Sequence, residues 1–444
     1  MKLNALLIGV IVFYCSHGLS AQETWDFKKC IEYAMENNIQ IKQQGINTEY
    51  RKNMVTQAKN NRLPNLNGSL ANSLNYGRSL TYENTYRNVN SSQLNGYLST
   101  DMTLWNGSVI NNTIKQNEMN LQSELQDLQK TKDDIVLNIA AAYLEILFAG
   151  ELVTIAESQT ELTHSQIDRT KKLVDAGSLA YGSLLEIEAQ LAREELELVN
   201  YKNQLQLAYL KLYQLLELPV EKKFKIKKPY LPEIKADMTM ANSINIYKNA
   251  LKNRPEIKAA ELRVESAKKE LEIAKGKALP KLTFGAYYFN LYNNKYTDIY
   301  DQPFSFTEQI TNNQRYEMGF NLNIPIFNKF LAKNEISNAS LRISEYKFHL
   351  QKTSNVMRKE IEQAYTSAVS ARNRYLAAEK VVKSTGEAFR YTEEKFNLDL
   401  INSFEYNQGK NYLTRAKSEL LQAKYEYIFR AKILDFYNGI PIEL

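Results

Sequence analysis

The side chains that most often do chemistry are scarce and scattered in this sequence. Past the N-terminal stretch only two histidines occur, His164 and His349, each alone in a helical pattern. Neither has a partner at metal-ligand spacing beyond what a Glu-rich helix supplies by chance. Glutamates come in close pairs, Glu186 with Glu188 and Glu194 with Glu195. Paired carboxylates do acid–base work when an environment drives their pKa values apart, and these read as solvated charges on polar helix faces. The sequence holds no Gly-rich phosphate loop, nucleophile elbow or HExxH motif. Catalysis is not expected, and no cofactor is expected either.

The ends and the composition narrow the class. Lys2, the apolar run Leu6 to Tyr14 and the small residues Leu19-Ser20-Ala21 read as a secretory signal over residues 1–21. Cys15 raises the alternative of a lipid anchor, but Tyr14 before it fits lipoprotein processing poorly. After cleavage Cys30 stands alone, so no intrachain disulfide is expected. The net charge of +6 is mild and the charges are interspersed, as on solvated helices. No polybasic tract with interleaved aromatics exists, which argues against a nucleic-acid partner. Past residue 21 no run of 18 apolar residues occurs, so entry into a membrane would need strands.

The elements that position these side chains come in two copies. Residues 25–62 read as helix with a break at Asn37-Asn38 and a stop at Pro64. Ala250, Asn253, Ile257, Ala274, Lys275, Leu279 and Pro280 repeat Ala34, Asn37, Ile41, Ala58, Lys59, Leu63 and Pro64 at a constant offset of 216. A strand pair follows each Leu-Pro, about 66–105 and about 281–327, with apolar residues alternating against Asn, Ser and Glu. A lipid-facing strand with water behind it and an ordinary half-solvated sheet fit this alternation equally. Tyr- and Asn-rich loops lie within the pairs, Gly77 to Gln93 and Asn294 to Asn313. After them the offset is 222, which joins Leu104-Trp105-Asn106 to Ile326-Phe327-Asn328 and Ile139, Ala142 and Tyr143 to Ile361, Ala364 and Tyr365. Long helices over 106–174 and 328–398 follow, each of roughly 70 residues and about 100 Å. Return helices run over 183–216 and 404–437. The domain reading is a first copy at 22–221, a linker at 222–243 and a second copy at 244–444. Pro229, Pro232 and a lysine cluster mark the linker as an outer, solvated segment.

Laid out this way, nearly the whole chain past the signal resembles the TolC family of outer-membrane efflux proteins. The carriers are Ala34 to Asn38 and Ala250 to Pro255 at the helix breaks, the Leu-Pro before each strand pair, Leu104-Trp105-Asn106-Gly107 and Pro325-Ile326-Phe327-Asn328 at the joints, and Asp175-Ala176-Gly177 at the first turn. The resemblance implies an α+β membrane protein acting as a homotrimer. Each chain would give four strands to a shared barrel of twelve in outer-membrane lipid, and long antiparallel helices to a periplasmic tunnel. Its function would be the exit duct of a tripartite efflux or type I secretion system. Its partners would be a periplasmic membrane fusion (adaptor) protein and an inner-membrane pump of the RND, ABC or MFS type. In the family, acidic residues near the start of the second return helix narrow the tunnel. Matching that segment places Glu405 on the first acidic position and Gln408 on the second, where the charge is lost, with Asp399 replacing the usual glycine at the turn. Gly177, Leu179, Tyr181 and Ile401 become candidate adaptor contacts, and Trp105 and Phe327 mark the strand-to-helix joints. A periplasmic coiled-coil scaffold with no lumen is the rival reading.

Overall fold

The structure is a computed structural model that describes residues 24–80, 84–88, 90–219, 224–230, 242–398 and 400–444. The expected signal at 1–21, the candidate Asp399 and most of the expected linker lie outside the described residues. Along the chain come β1 (Thr24–Trp25), α1 (Phe27–Asn37), α2 (Ile39–Asn60), β2 (Asn67–Asn75), β3 (Arg78–Leu80), β4 (Tyr86–Asn88) and β5 (Ser91–Trp105). Then follow α3 (Val109–Asp175), α4 (Tyr181–Leu215), β6 (Lys225–Ile226), α5 (Ser243–Asn253) and α6 (Pro255–Lys277). The last are β7 (Lys281–Asn293), α7 (Phe306–Asn312), β8 (Arg315–Asn323), α8 (Leu331–Asn397) and α9 (Ser403–Tyr437). Among the described residues two compact units result, one of residues 24–46, 126–258 and 352–444, the other of residues 47–125 and 259–351.

The first unit is helical. Its core gathers Trp25, Phe27, Cys30, Ala34, Ile139, Tyr143, Leu212 and Phe224, with Tyr425, Tyr427 and Ile428 from α9. The helix breaks follow from local chemistry. Asn38 leaves helical geometry at ψ 127°. Its side-chain oxygen accepts the Gln40 and Ile41 N–H groups, and its amide donates to the Leu215 carbonyl at 3.0 Å. In the second copy Arg254 is held extended at ψ 132° by the proline after it, and Pro255 opens α6. The buried Arg254 guanidinium pairs with Asp133 at 3.2 Å and lies 3.9 Å from the Phe436 ring.

Three sequence expectations change here. Trp25 is not the first residue of a helix. It sits in β1, which pairs in parallel with β6, and stacks on Phe224 at 4.5 Å. The start of the expected outer linker is therefore stitched to the core, and the Tyr143 hydroxyl bonds the Lys227 carbonyl there at 2.5 Å. One helix, α3, is long and apolar enough by composition to cross a membrane, although no uninterrupted apolar run exists; most of its apolar stretch is buried within the protein.

The second unit couples a sheet to helix segments in one order. The strands run β2-β5-β7-β8, all antiparallel. The helices follow suit. Arg51 and Lys59 of α2 reach Glu124 and Glu118 of α3, Ser266 of α6 bonds Asn120 of α3, and Lys277 of α6 pairs with Glu335 of α8. The Tyr-rich loops are partly structured, by the β3–β4 ladder in the first copy and α7 in the second.

Candidate channel faces and helix tips

The register of the sheet sorts its side chains by number. Gly68 faces Leu98, Leu98 faces Tyr288 and Tyr288 faces Tyr316, so even-numbered residues share one side of all four strands. That side carries Leu70, Leu74, Leu94, Leu98, Met102, Leu282, Phe284, Met318, Phe320 and Leu322. The odd side carries Asn67, Ser69, Ser99, Asp101, Thr103, Glu317, Asn321 and Asn323, and Tyr287 donates its hydroxyl to Asp101 at 2.9 Å. The apolar side is open: Leu70 is 74%, Met318 73% and Phe320 72% exposed. A water-soluble sheet packs its apolar face, whereas a sheet in a bilayer turns that face to lipid. Among the described residues β2 and β8 each pair on one side only, so this sheet has two free edges.

The strand-to-helix joints lie at the ends of β5 and β8. A bulge at Leu104 puts Trp105, an odd residue, opposite Leu282, so its ring turns to the apolar side. Beyond it Gly107 and Ser108 have positive φ, 61° and 63°. The second copy repeats this at Lys329 and Phe330, at 54° and 63°. Gly107 lies against Gly276 so closely that a Cβ on either would run into the other's backbone. Trp105 and Phe327 are both exposed.

The tips belong to the helical unit. Gly177, at φ 74°, ends α3, with the Ser178 N–H bonding the Leu173 carbonyl at 2.8 Å. Asn402 caps α9 through the Glu405 N–H at 2.9 Å. Leu179 of one turn and Ile401 of the other line the same cavity of about 540 Å³, with Arg169, Phe396 and Tyr406. Arg169 ties the two hairpins by donating to Asn397 at 3.0 Å. Tyr181 is exposed and does not line this cavity. Glu405 and Gln408 are both exposed and share a second cavity of about 570 Å³ with Val381, Phe389 and Tyr412. Tyr406, packed on Phe396 at 4.5 Å, fixes the face of α9 that they occupy.

Sequence reasoning missed one constellation. Glu194 is not a solvated charge. It is 4% exposed, paired at 3.2 Å with Lys410, which is 6% exposed. The Lys410 ammonium also donates to the Gln159 carbonyl at 3.1 Å and the Thr163 hydroxyl at 2.5 Å, while Glu194 accepts from Gln159, Gln190 and Thr163. Burial pulls the Lys410 pKa below the usual lysine value, and Glu194 opposes that. The network joins α3, α4 and α9. Its neighbour Glu195 is exposed beside His164, as expected of it.

The chain is similar to known proteins over most of its length. A sequence model described as outer membrane efflux protein matches residues 30–217 and 246–436, one segment in each copy. Toxin and drug export protein A of Aggregatibacter actinomycetemcomitans is 22% identical over 314 residues, 69% of this chain and 64% of that one. Outer membrane protein TolC of Escherichia coli K12 is 22% identical over 410 residues, 88% of this chain and 80% of that one. Among solved structures, the fold is shared with CusC, described for its conformational changes accompanying folding and transmembrane channel formation. The TM-score is 0.77 at 16% identity, over 94% of this chain and 92% of that one.

Proposed function

Because this chain belongs to the outer membrane efflux protein family, we propose that it is the passive exit duct of a tripartite exporter, gated at its helix tips. It is an outer-membrane channel that extends into the periplasm, in a family of channels and not of enzymes. Membership implies a trimer that works with efflux pump components. The observation that carries the duct reading is the sheet with one apolar and one polar side and two free edges, because three such sheets joined edge to edge enclose a polar lumen.

In this reading Glu405 of the three subunits forms the single acidic ring at the periplasmic constriction, and Gln408 forms a neutral ring beside it. Three carboxylates about one axis favour cations there. The cavity lined by Leu179 and Ile401 receives a periplasmic adaptor, which also contacts Gly177 and the exposed Tyr181 outside it, and an inner-membrane pump supplies the energy. Cargo contacts are loose and selection lies with the pump. Drug or toxin efflux, in line with the name of one relative, fits a conduit of this kind. The test is single-channel recording in planar bilayers. Glu405→Ala should raise conductance or reduce block by divalent cations, and no change in either removes Glu405 from the gate.

A further inference from the structure

The joint of the second copy carries a feature that the duct reading leaves unused. Ile326 is 94%, Phe327 72%, Phe330 62% and Leu331 58% exposed, four large apolar side chains within six residues. Phe330 adopts φ 63°, a conformation that a bulky residue reaches only against steric resistance, where the first copy has Ser108. The backbone there sets the Phe330 ring edge-on to Phe327 at 5.6 Å and 88°. Lys329 stands between the two phenylalanines in the sequence and Lys333 follows three residues after Phe330. Among the described residues neither makes an ion pair or a side-chain hydrogen bond. No Asp or Glu occurs from residue 318 to residue 334, and the next acid, Glu335, is held by Lys277. The first joint lacks this character, with no Lys or Arg from residue 102 to residue 114.

Two occupants could cover such a patch, a neighbouring subunit or lipid, and the duplication separates them. The first joint already has its neighbour, since Gly107 sits against Gly276 of α6 and β5 pairs with β7. Trp105 and Ser108 nevertheless stay exposed there. A subunit packed on β8 in the same way would leave Phe327 and Phe330 uncovered. The patch is also continuous with the apolar side of the sheet through Phe320 and Leu322. We propose that the segment Ile326 to Lys333 is a binding site for anionic phospholipid, with the two phenylalanines at the boundary between acyl chains and headgroups and the two lysines on the headgroup phosphate.

The experiment places a reporter in the site. Trp105→Phe with Phe330→Trp leaves Trp25, buried in the helical unit, as the only other tryptophan. The full-length protein is reconstituted in phosphatidylcholine containing a minority of brominated phosphatidylglycerol or, separately, of brominated phosphatidylcholine. Each lysine near the surface favours an anionic lipid roughly fivefold, so quenching by the anionic lipid should be at least about twofold stronger. Lys329→Gln with Lys333→Gln should bring the two lipids to equality. No quenching by either lipid overturns the proposal, as does a preference that survives loss of both lysines. If Phe330→Trp does not assemble, Phe327→Trp in the same background reads the same site. The channel reading is checked separately on the same vesicles by conductance, so its failure is distinct from failure of the lipid site.

Discussion

Lys410→Met isolates the buried pair, because methionine keeps the length of the stem and removes only the charged head. The lysine loses three contacts, to Gln159, Thr163 and Glu194. The larger effect falls on Glu194, whose side chain is 4% exposed and whose counter-ion is gone. Stranding one member of a buried pair costs about 3–5 kcal/mol. Glu194 keeps donors from Gln159, Gln190 and Thr163, which places this case near the lower end, at about 3 kcal/mol. Adding Glu194→Gln removes the stranded charge and should bring the double variant to within about 2 kcal/mol of the native chain, since a buried pair is little better than a neutral replacement. The two single losses should therefore be strongly non-additive, coupled by roughly 3 kcal/mol. Urea unfolding of the detergent-solubilised protein, followed by helical circular dichroism, measures all four corners of the cycle. A Lys410→Met loss below about 0.5 kcal/mol, or a double variant worse than either single one, would refute the reasoning.

Further outcomes follow from the same contacts. Gly276→Ala drives a methyl group into the backbone at Gly107, and the trimer should dissociate at a lower temperature in detergent electrophoresis, by an amount equivalent to about 2 kcal/mol or more; an unchanged dissociation temperature counts against a tight joint. Tyr143→Phe removes the hydroxyl that bonds the Lys227 carbonyl and should lower stability by about 1–2 kcal/mol in the same urea assay. Burial pushes the Cys30 thiol from 9.0 up to about 12, so native protein should resist maleimide at neutral pH and react only after unfolding. Burial likewise raises the Tyr425 phenol from 10.0 to about 12, and raises Tyr143 and Tyr437. These acids are held neutral in the folded chain, so the stability they contribute is complete below their unfolded pKa values and is lost as pH rises from about 9 towards 12. Thermal unfolding across that range should show the midpoint falling.

Much of this fold was legible because it is written twice. The 216 and 222 offsets locate both strand pairs and both long helices, and strict alternation in β5 and β8 foretells a sheet with unlike sides. The parts that stayed hidden depend on contacts with no local pattern. Strand β1 is two residues long and pairs with β6 some 200 residues away, too short and too distant for periodicity to register. Glu194 reads as polar surface because Glu195 beside it is surface; its partner Lys410 belongs to the other copy, where Ala416 stands at the position equivalent to Glu194. The bulge at Leu104 is equally silent, since two adjacent apolar residues do not announce which is the extra one. At the tips, Leu179 and Ile401 meet in one cavity although their separation in sequence gives no hint of it, and Tyr181 lies outside it.

The even–odd register of the sheet also governs how the chain can change length. Losing one residue from the middle of β5 would exchange the sides of every residue beyond it, bringing Asp101 into register with Leu98's side and Met102 with Asp101's. Strand interiors therefore tolerate indels only in pairs or at a compensating bulge, while the loops above them are released from that arithmetic. The six extra residues that separate the 216 offset from the 222 offset lie between the paired strands, where this freedom exists. The same rule makes the sheet its own ruler: a probe at an even position reads one solvent, a probe at the next position reads the other, and the bulge before Trp105 breaks the count.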